Sequence, residues 1–144
     1  MKKGIDFVGI FVTGICHDGK GKILYRRRGP GARDEQGKWD VGAGGALEHG
    51  ETIDECLARE IKEEIGVDIL EKIYLGYHES FRMMGGNKIH WIGFYFKCLI
   101  NPTQVVIDDK EECDECLWAS YHDPQQPTMM GYEEEYEKFK DKFK

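Results

Sequence analysis

Glu60, Glu63 and Glu64 stand at i, i+3 and i+4, a spacing that gathers three carboxylates on one patch of an α-helix. Left alone they repel, by a few tenths of a kcal/mol for each like-charged pair one turn apart. Arg59 and Lys62 offset only part of this, because neither sits in the middle of the triple. A hard divalent cation resolves the conflict, since Mg²⁺ takes carboxylate oxygens plus water and bridges readily to phosphates. A solvated Glu-rich helix face is the competing reading of these three residues taken alone. Upstream, Arg26, Arg27, Arg28, Arg33 and Lys38 precede a glycine cluster, and guanidinium groups grip phosphate in a bidentate manner. Strand alternation sends Arg26 and Arg28 one way and Arg27 the other, so only part of this set can serve one ligand.

Several elements must hold these groups in place. Thr52-Ile53-Asp54-Glu55 has the form of a capping box, and Ile53, Leu57, Ile61 and Ile65 follow at spacings of four, which predicts an amphipathic helix stopped by Gly66. Before it, Phe7 to Ile15 and Lys22 to Arg26 read as strands joined by turn residues 17–21, hence as a β-hairpin. Gly29 to Lys38 reads as a surface loop ahead of a short strand at Trp39-Asp40-Val41. Gly42, Gly44, Gly45 and Gly50 mark backbone that turns sharply or approaches something closely. Downstream, Ile69 to Tyr77 and Lys88 to Ile100 read as strands joined by a polar, glycine-bearing loop at residues 82–87. An acidic stretch from Asp108 to Glu115 leads into a short strand at residues 116–119, and Tyr132, Tyr136, Phe139 and Phe143 form the apolar face of a second helix. Strand pairs on either side of a helix predict a mixed sheet covered by helices rather than a regular βαβ alternation.

The 144 residues fit one domain, 1–144, with one core. A net charge of −7 argues against an extended nucleic-acid face, while an anionic small molecule needs only local compensation. No run approaches the roughly eighteen apolar residues of a bilayer span, and Asp6 and Gly9 interrupt the apolar start, so neither membrane insertion nor a signal peptide is expected. Five cysteines, an odd number spread over strand, helix and loop, fit free thiols in the cytoplasm better than a disulfide framework. Cys113-Asp114-Glu115-Cys116 is a C-x-x-C, but no second pair completes the four ligands of structural zinc. The glycine cluster is neither G-x-G-x-x-G nor a P-loop. Trp39, Tyr77, Phe81, Trp91 and Trp118 are candidates to stack on a base, although in or beside strands such residues commonly belong to the core.

Gly45, five residues, Glu51, seven residues, then Arg59-Glu60-Ile61-Lys62-Glu63-Glu64-Ile65-Gly66-Val67 meets every fixed position of the Nudix box. At about 7% frequency per residue, seven fixed identities at set offsets arise by chance on the order of 10⁻⁸ per start position. The chain therefore resembles a Nudix hydrolase. The resemblance implies an α/β/α sandwich with a mixed central sheet, in which a loop-helix-loop holds Mg²⁺ or Mn²⁺ and a pyrophosphate bond is cleaved in a nucleoside diphosphate linked to another group. Carried over by position, it implies Glu60 and Glu64 as main metal ligands, Glu63 as a further one and the Gly44 carbonyl as another, with Arg59 and Glu51 orienting the carboxylates. It places a further ligand or general base near Glu112, six residues before Trp118, with Glu111 beside it, and it leaves the base as either Glu60 or such a carboxylate outside the box. Arg26, Arg28, Arg33 and Trp39 are the expected substrate contacts, and the expected partner is a small nucleotide or other diphosphate, with monomer and homodimer both open. Two rivals stand beside hydrolysis. Isopentenyl diphosphate isomerases use a similar scaffold but depend on a cysteine where this chain has Gly44, and they alter the Glu triple. A binding module that has lost catalysis generally carries a degenerate box, and this one is intact.

Overall fold

Branched and aromatic residues at alternate positions give seven strands that join in one mixed sheet. The computed structural model describes residues 1–143. In it β1 (Gly9–His17), β2 (Ile23–Arg28), β3 (Trp39–Asp40) and β4 (Ala43–Ala46) precede α1 (Ile53–Ile65). After the helix come β5 (Glu71–Met84), β6 (Asn87–Leu99), β7 (Cys113–Ala119) and α2 (Tyr132–Phe139). The sheet order is β3-β2-β1-β6-β5, with β4 also on β1 and β7 also on β2. β1 runs parallel to β6, and the other pairs are antiparallel.

Alternation along β1 separates two cores. Val12 and Cys16 meet Leu57, Ile61 and Ile65 of α1 on one face. Ile15 points to the other, where Tyr25, Trp39, Tyr121, Tyr132 and Phe143 pack around it. One helix on each face makes this the α/β/α sandwich expected from the sequence. The ends of α1 are also as expected: Thr52 Oγ1 accepts from the Glu55 N–H at 3.1 Å, and Gly66 closes the helix in the left-handed region, its N–H donating to the Lys62 carbonyl.

Three expectations need correction. The β1–β2 hairpin has a single register pair, His17 with Ile23. Beyond it β1 gives its edges to β4 and β6, and β2 diverges to pair with β7 from Ile23–Ala119 to Arg28–Cys113. The residues between two strands show that the chain reverses, but distant strands decide which edge is filled. Second, residues 82–84 are strand rather than loop. Met84 pairs with Asn87, and the turn is Gly85-Gly86 alone, both at positive φ (55° and 79°), as a two-residue hairpin loop favours. Third, the second helix ends at Phe139, yet Phe143 beyond it remains buried with Tyr132. No helix among the described residues is long and apolar enough to cross a membrane.

Candidate active site

β4 lies against β1 with Gly44 opposite Thr13 and Gly45 opposite Val12. Of the clustered glycines only Gly50 has a positive φ, so Gly44 and Gly45 are there for space rather than for a turn. A Cβ on Gly45 would stand 2.5 Å from the Glu60 carboxyl carbon, and one on Gly44 2.0 Å from the Val12 carbonyl oxygen. α1 therefore lays the Glu60 carboxylate directly on the β4 backbone, an approach that any side chain at position 45 would block.

Arg59 organises the outer carboxylates. Its Nε and Nη2 donate to the two oxygens of Glu51 at 2.6 and 2.9 Å, and its Nη1 donates to Glu60 at 2.8 Å and to Glu63 at 3.4 Å. These bonds hold Glu51 down at about 2 and raise Arg59 in turn. Glu64 is held separately. Its Oε2 accepts from Arg26 Nη1 at 3.1 Å and from the Gly44 N–H at 3.0 Å. Burial pushes Glu64 up to about 7 despite Arg26, and the neighbouring Glu60 and Asp40 add to the rise. The triple is thus not the unpaired cluster that spacing alone suggests, because each carboxylate turns toward a guanidinium or a backbone N–H. Among the described residues no three His, Cys, Asp or Glu side chains converge into a ready-made metal cage.

Glu63, Glu64, Gly44 and Gly45 line one end of a cleft of about 850 Å³. Its floor is the α2 face of the sheet, where Phe11 and Thr13 of β1, Trp91 and Tyr95 of β6, and Ser80 and Arg82 of β5 lie. The arginines divide in an unforeseen way. Arg26 is 14% exposed and committed to Glu64 and the Gly42 carbonyl, while Arg28 is committed to the carboxylate and carbonyl of Asp34. Both are held by the protein itself, and both line the cleft. Arg33 is exposed, lines the cleft and has no ion-pair partner among the described residues. Trp39 lines the cleft too, but only 8% of it is exposed, and Arg27 stands 5.7 Å from its ring centroid. Glu112 is exposed and lines the cleft, with its N–H 3.3 Å from Asp109 Oδ1 and its carbonyl receiving the Gly29 N–H. Glu111 is not among the lining residues; its carbonyl receives the Gly31 N–H.

The cleft also holds residues that the sequence did not single out. Asp40 accepts from the Val41 and Gly42 N–H groups at 2.8 and 3.3 Å, and burial raises it. Glu135 of α2 is pushed up to about 8 by burial and by Asp40, against the pull of the Tyr95 hydroxyl. Glu35 and Arg82 occupy another part of the lining. Asp40 follows Trp39 on a two-residue strand and was legible as its opposite-facing neighbour, whereas Glu135 sits in a Glu133-Glu134-Glu135 run that looks like any solvated helix start.

This glycine-backed acidic helix on an α/β/α sandwich is the arrangement of one family. A family model described as NUDIX domain matches residues 9–141, and the chain belongs to the Nudix family. It is 43% identical over 104 residues to an uncharacterized Nudix hydrolase of Yersinia pestis, covering 72% of this chain and 54% of that protein. It is 37% identical over 70 residues to the CTP pyrophosphohydrolase of Escherichia coli (strain K12), covering 49% of each. The chain spans about half the length of the curated relatives it matches. Among solved structures, a MutT Nudix hydrolase from Burkholderia pseudomallei superposes with a TM-score of 0.74 at 19% identity, covering 92% of this chain and 98% of that one. A MutT protein from Methanosarcina mazei Go1 gives 0.73 at 24% identity over 94% of both chains. These two likenesses are of fold.

Proposed function

We propose that the chain hydrolyses a pyrophosphate bond in a nucleoside diphosphate linked to another group, of the nucleoside triphosphate or nucleotide-sugar type, with Mg²⁺ or Mn²⁺ as cofactor. The observation that carries this reading is Glu64, a partly exposed carboxyl that lines the cleft and is raised to about 7 by desolvation, with the like charge of Glu60 adding to the rise. Such a pair fits a hydrated cation that takes a few carboxylate oxygens and leaves its other positions to water and phosphate, rather than a full protein cage. Glu60, Glu63, Glu64 and the Gly44 carbonyl would hold the ion. When bound, it supplies charge neutralisation for the diphosphate and acidifies a water.

The protein's own groups do the rest. Arg59, fixed by its two bonds to Glu51, sets the directions of Glu60 and Glu63, and Arg26 sets that of Glu64. Arg33 meets the phosphates, and Glu112 takes the proton from the attacking water. The name of the E. coli relative, a CTP pyrophosphohydrolase, supports a nucleoside triphosphate as substrate. The free thiols of Cys16, Cys56, Cys98, Cys113 and Cys116 support a reducing compartment, the cytoplasm.

A panel of nucleoside triphosphates, nucleotide sugars and dinucleoside polyphosphates, assayed with Mg²⁺ or with chelator, tests the reading. Release of a nucleoside monophosphate from at least one member, abolished by chelator, is expected. Binding without turnover across the panel, with Mg²⁺ and with Mn²⁺, overturns it in favour of a binding module.

A further inference from the structure

On a regular strand, residues three apart point to opposite faces, so Cys113 and Cys116 of β7 would lie on either side of the sheet. The pairing with β2 places them otherwise. Arg26 faces Cys116 and Arg27 faces Glu115, but Arg28 faces Cys113, so Asp114 is an extra residue in the ladder. Arg27 holds this bulge, with Nε 2.7 Å from Asp114 Oδ1 and Nη1 2.8 Å from Glu115 Oε2. The extra residue turns Cys113 to the side of Cys116, and the two sulfurs stand 4.0 Å apart. A bulge beside a site re-aims a side chain, and this one brings two thiols together.

The surroundings of this pair differ from those of the other thiols. Cys16 and Cys98 are also cross-strand partners, on β1 and β6, but they are sealed in the α1 core, and so is Cys56 of α1 itself. Cys113 is buried yet lines the cleft, and Cys116 is partly exposed. Arg26, the cross-strand partner of Cys116, brings a positive charge to the pair, and such a neighbour favours the thiolate, the form that attacks an oxidant. Either sulfur can donate to the other, so the thiolate is available at Cys116, the more exposed of the two.

We propose that Cys113 and Cys116 form a reversible disulfide in the wall of the cleft, with hydrogen peroxide as the oxidant. The Cys116 thiolate attacks one peroxide oxygen: an S–O bond forms, the O–O bond breaks, and the departing hydroxide takes up the proton that the thiol released and leaves as water. The Cys113 sulfur then attacks the Cys116 sulfur. An S–S bond forms, and the oxygen leaves as a second water with the Cys113 proton. Two electrons pass from the pair to the peroxide, and a dithiol returns them by exchange, ending as its own disulfide. In a reducing compartment such a bond is transient. Closing the sulfurs from 4.0 Å to a bond of about 2.05 Å displaces the Cys113 end of β7. Glu112 is the residue before it and lines the cleft, and Arg26, beside Cys116, holds Glu64. Oxidation therefore reaches two carboxylates of the site and lowers turnover. That consequence rests on the hydrolytic reading; the disulfide does not.

The test treats the reduced protein with hydrogen peroxide, digests it and reads each cysteine by mass. The fragment carrying Cys113 and Cys116 should become lighter by two hydrogens and regain them with dithiothreitol, while Cys16, Cys56 and Cys98 stay reduced. Cys113→Ser should stop at a sulfenic acid on Cys116 that dimedone captures, and Cys116→Ser should leave Cys113 without the label, with circular dichroism reporting the fold of each. A pair that stays reduced, oxidation spread equally over all five cysteines, or a C113S protein that takes no dimedone overturns the proposal. In the nucleotide assay, oxidation should lower kcat by about tenfold or more in wild type, reversibly, and leave C116S unaffected. An equal loss in C116S overturns the link to turnover. Failure to cleave any nucleotide sinks the hydrolytic reading, and the mass and label readings then decide the disulfide by themselves.

Discussion

Glu64 and Glu135 stand on helices packed against opposite faces of one sheet, yet both line the cleft, and both carboxyls lie above their ordinary range, at about 7 and about 8. Their company differs. Glu64 has a guanidinium and a backbone N–H, with the like charge of Glu60 close by. Glu135 has Asp40 and the Tyr95 hydroxyl. A carboxyl set among donors and beside another carboxylate ionises once a cation offsets the repulsion. Burial and the neighbouring Asp40 raise Glu135, against the Tyr95 hydroxyl, and so favour its protonated form. Position in the same cleft therefore does not define a role; the groups within hydrogen-bond reach do.

The sharpest way to break this comparison is to neutralise each residue in turn. Glu64→Gln keeps size and helix propensity and is expected to lower kcat by at least about a hundredfold, the upper end of losses around metal sites, with circular dichroism unchanged. Glu135→Gln should cost less than about tenfold, because it mimics a carboxyl that is already neutral. Equal losses in the two variants would mean that the comparison marks no functional difference.

A smaller effect tests whether the base lies outside the box. Glu112→Gln should lower kcat at least roughly tenfold, toward the 10²–10⁴-fold of a lost general base, with little change in KM. If E112Q and E111Q both keep wild-type kcat across pH, Glu60 becomes the base.

The smallest effect is on stability against pH. Glu135 is pushed from 4.5 to about 8, so through that window the folded protein binds a proton that the unfolded chain has lost. Stability then falls as pH rises from 4.5 to about 8, and Glu64 adds a fall of the same sign up to about 7. Melting temperatures in chelator should decline across this range, less steeply in E135Q. An undiminished slope in that variant would show that Glu135 ionises normally.

Much of α1 was legible because its signals are local. The Thr52 cap, the Gly66 stop and the four-residue apolar spacing lie within one segment, and the box residues ride on that same segment. Arg26 was visible only as one basic residue among several. That it closes on Glu64 depends on β2 leaving β1 after a single pair, a fact settled by β4 and β7. Glu35 read as part of a solvated loop, since nothing near it in sequence announces that Met130 donates to it from ninety-five residues away. Arg82 was assigned to a loop because glycine and polarity outweighed the weak strand signal, and the pairing that makes it strand comes from β6.

β5 is an end strand of the sheet, fourteen residues long, with Ile73, Tyr74, Tyr77, Phe81 and Met83 each more than half exposed. One side of its backbone offers a ready template for another chain. A bulge between Tyr74 and Gly76 interrupts that template, and the net charge of −7 keeps copies apart at neutral pH. Acidification toward the isoelectric point near 5.3 removes the second protection and leaves only the first. The outer edge of β5 and the face that carries Arg82 to the cleft thus belong to one strand, so a substitution that alters its pairing reaches both.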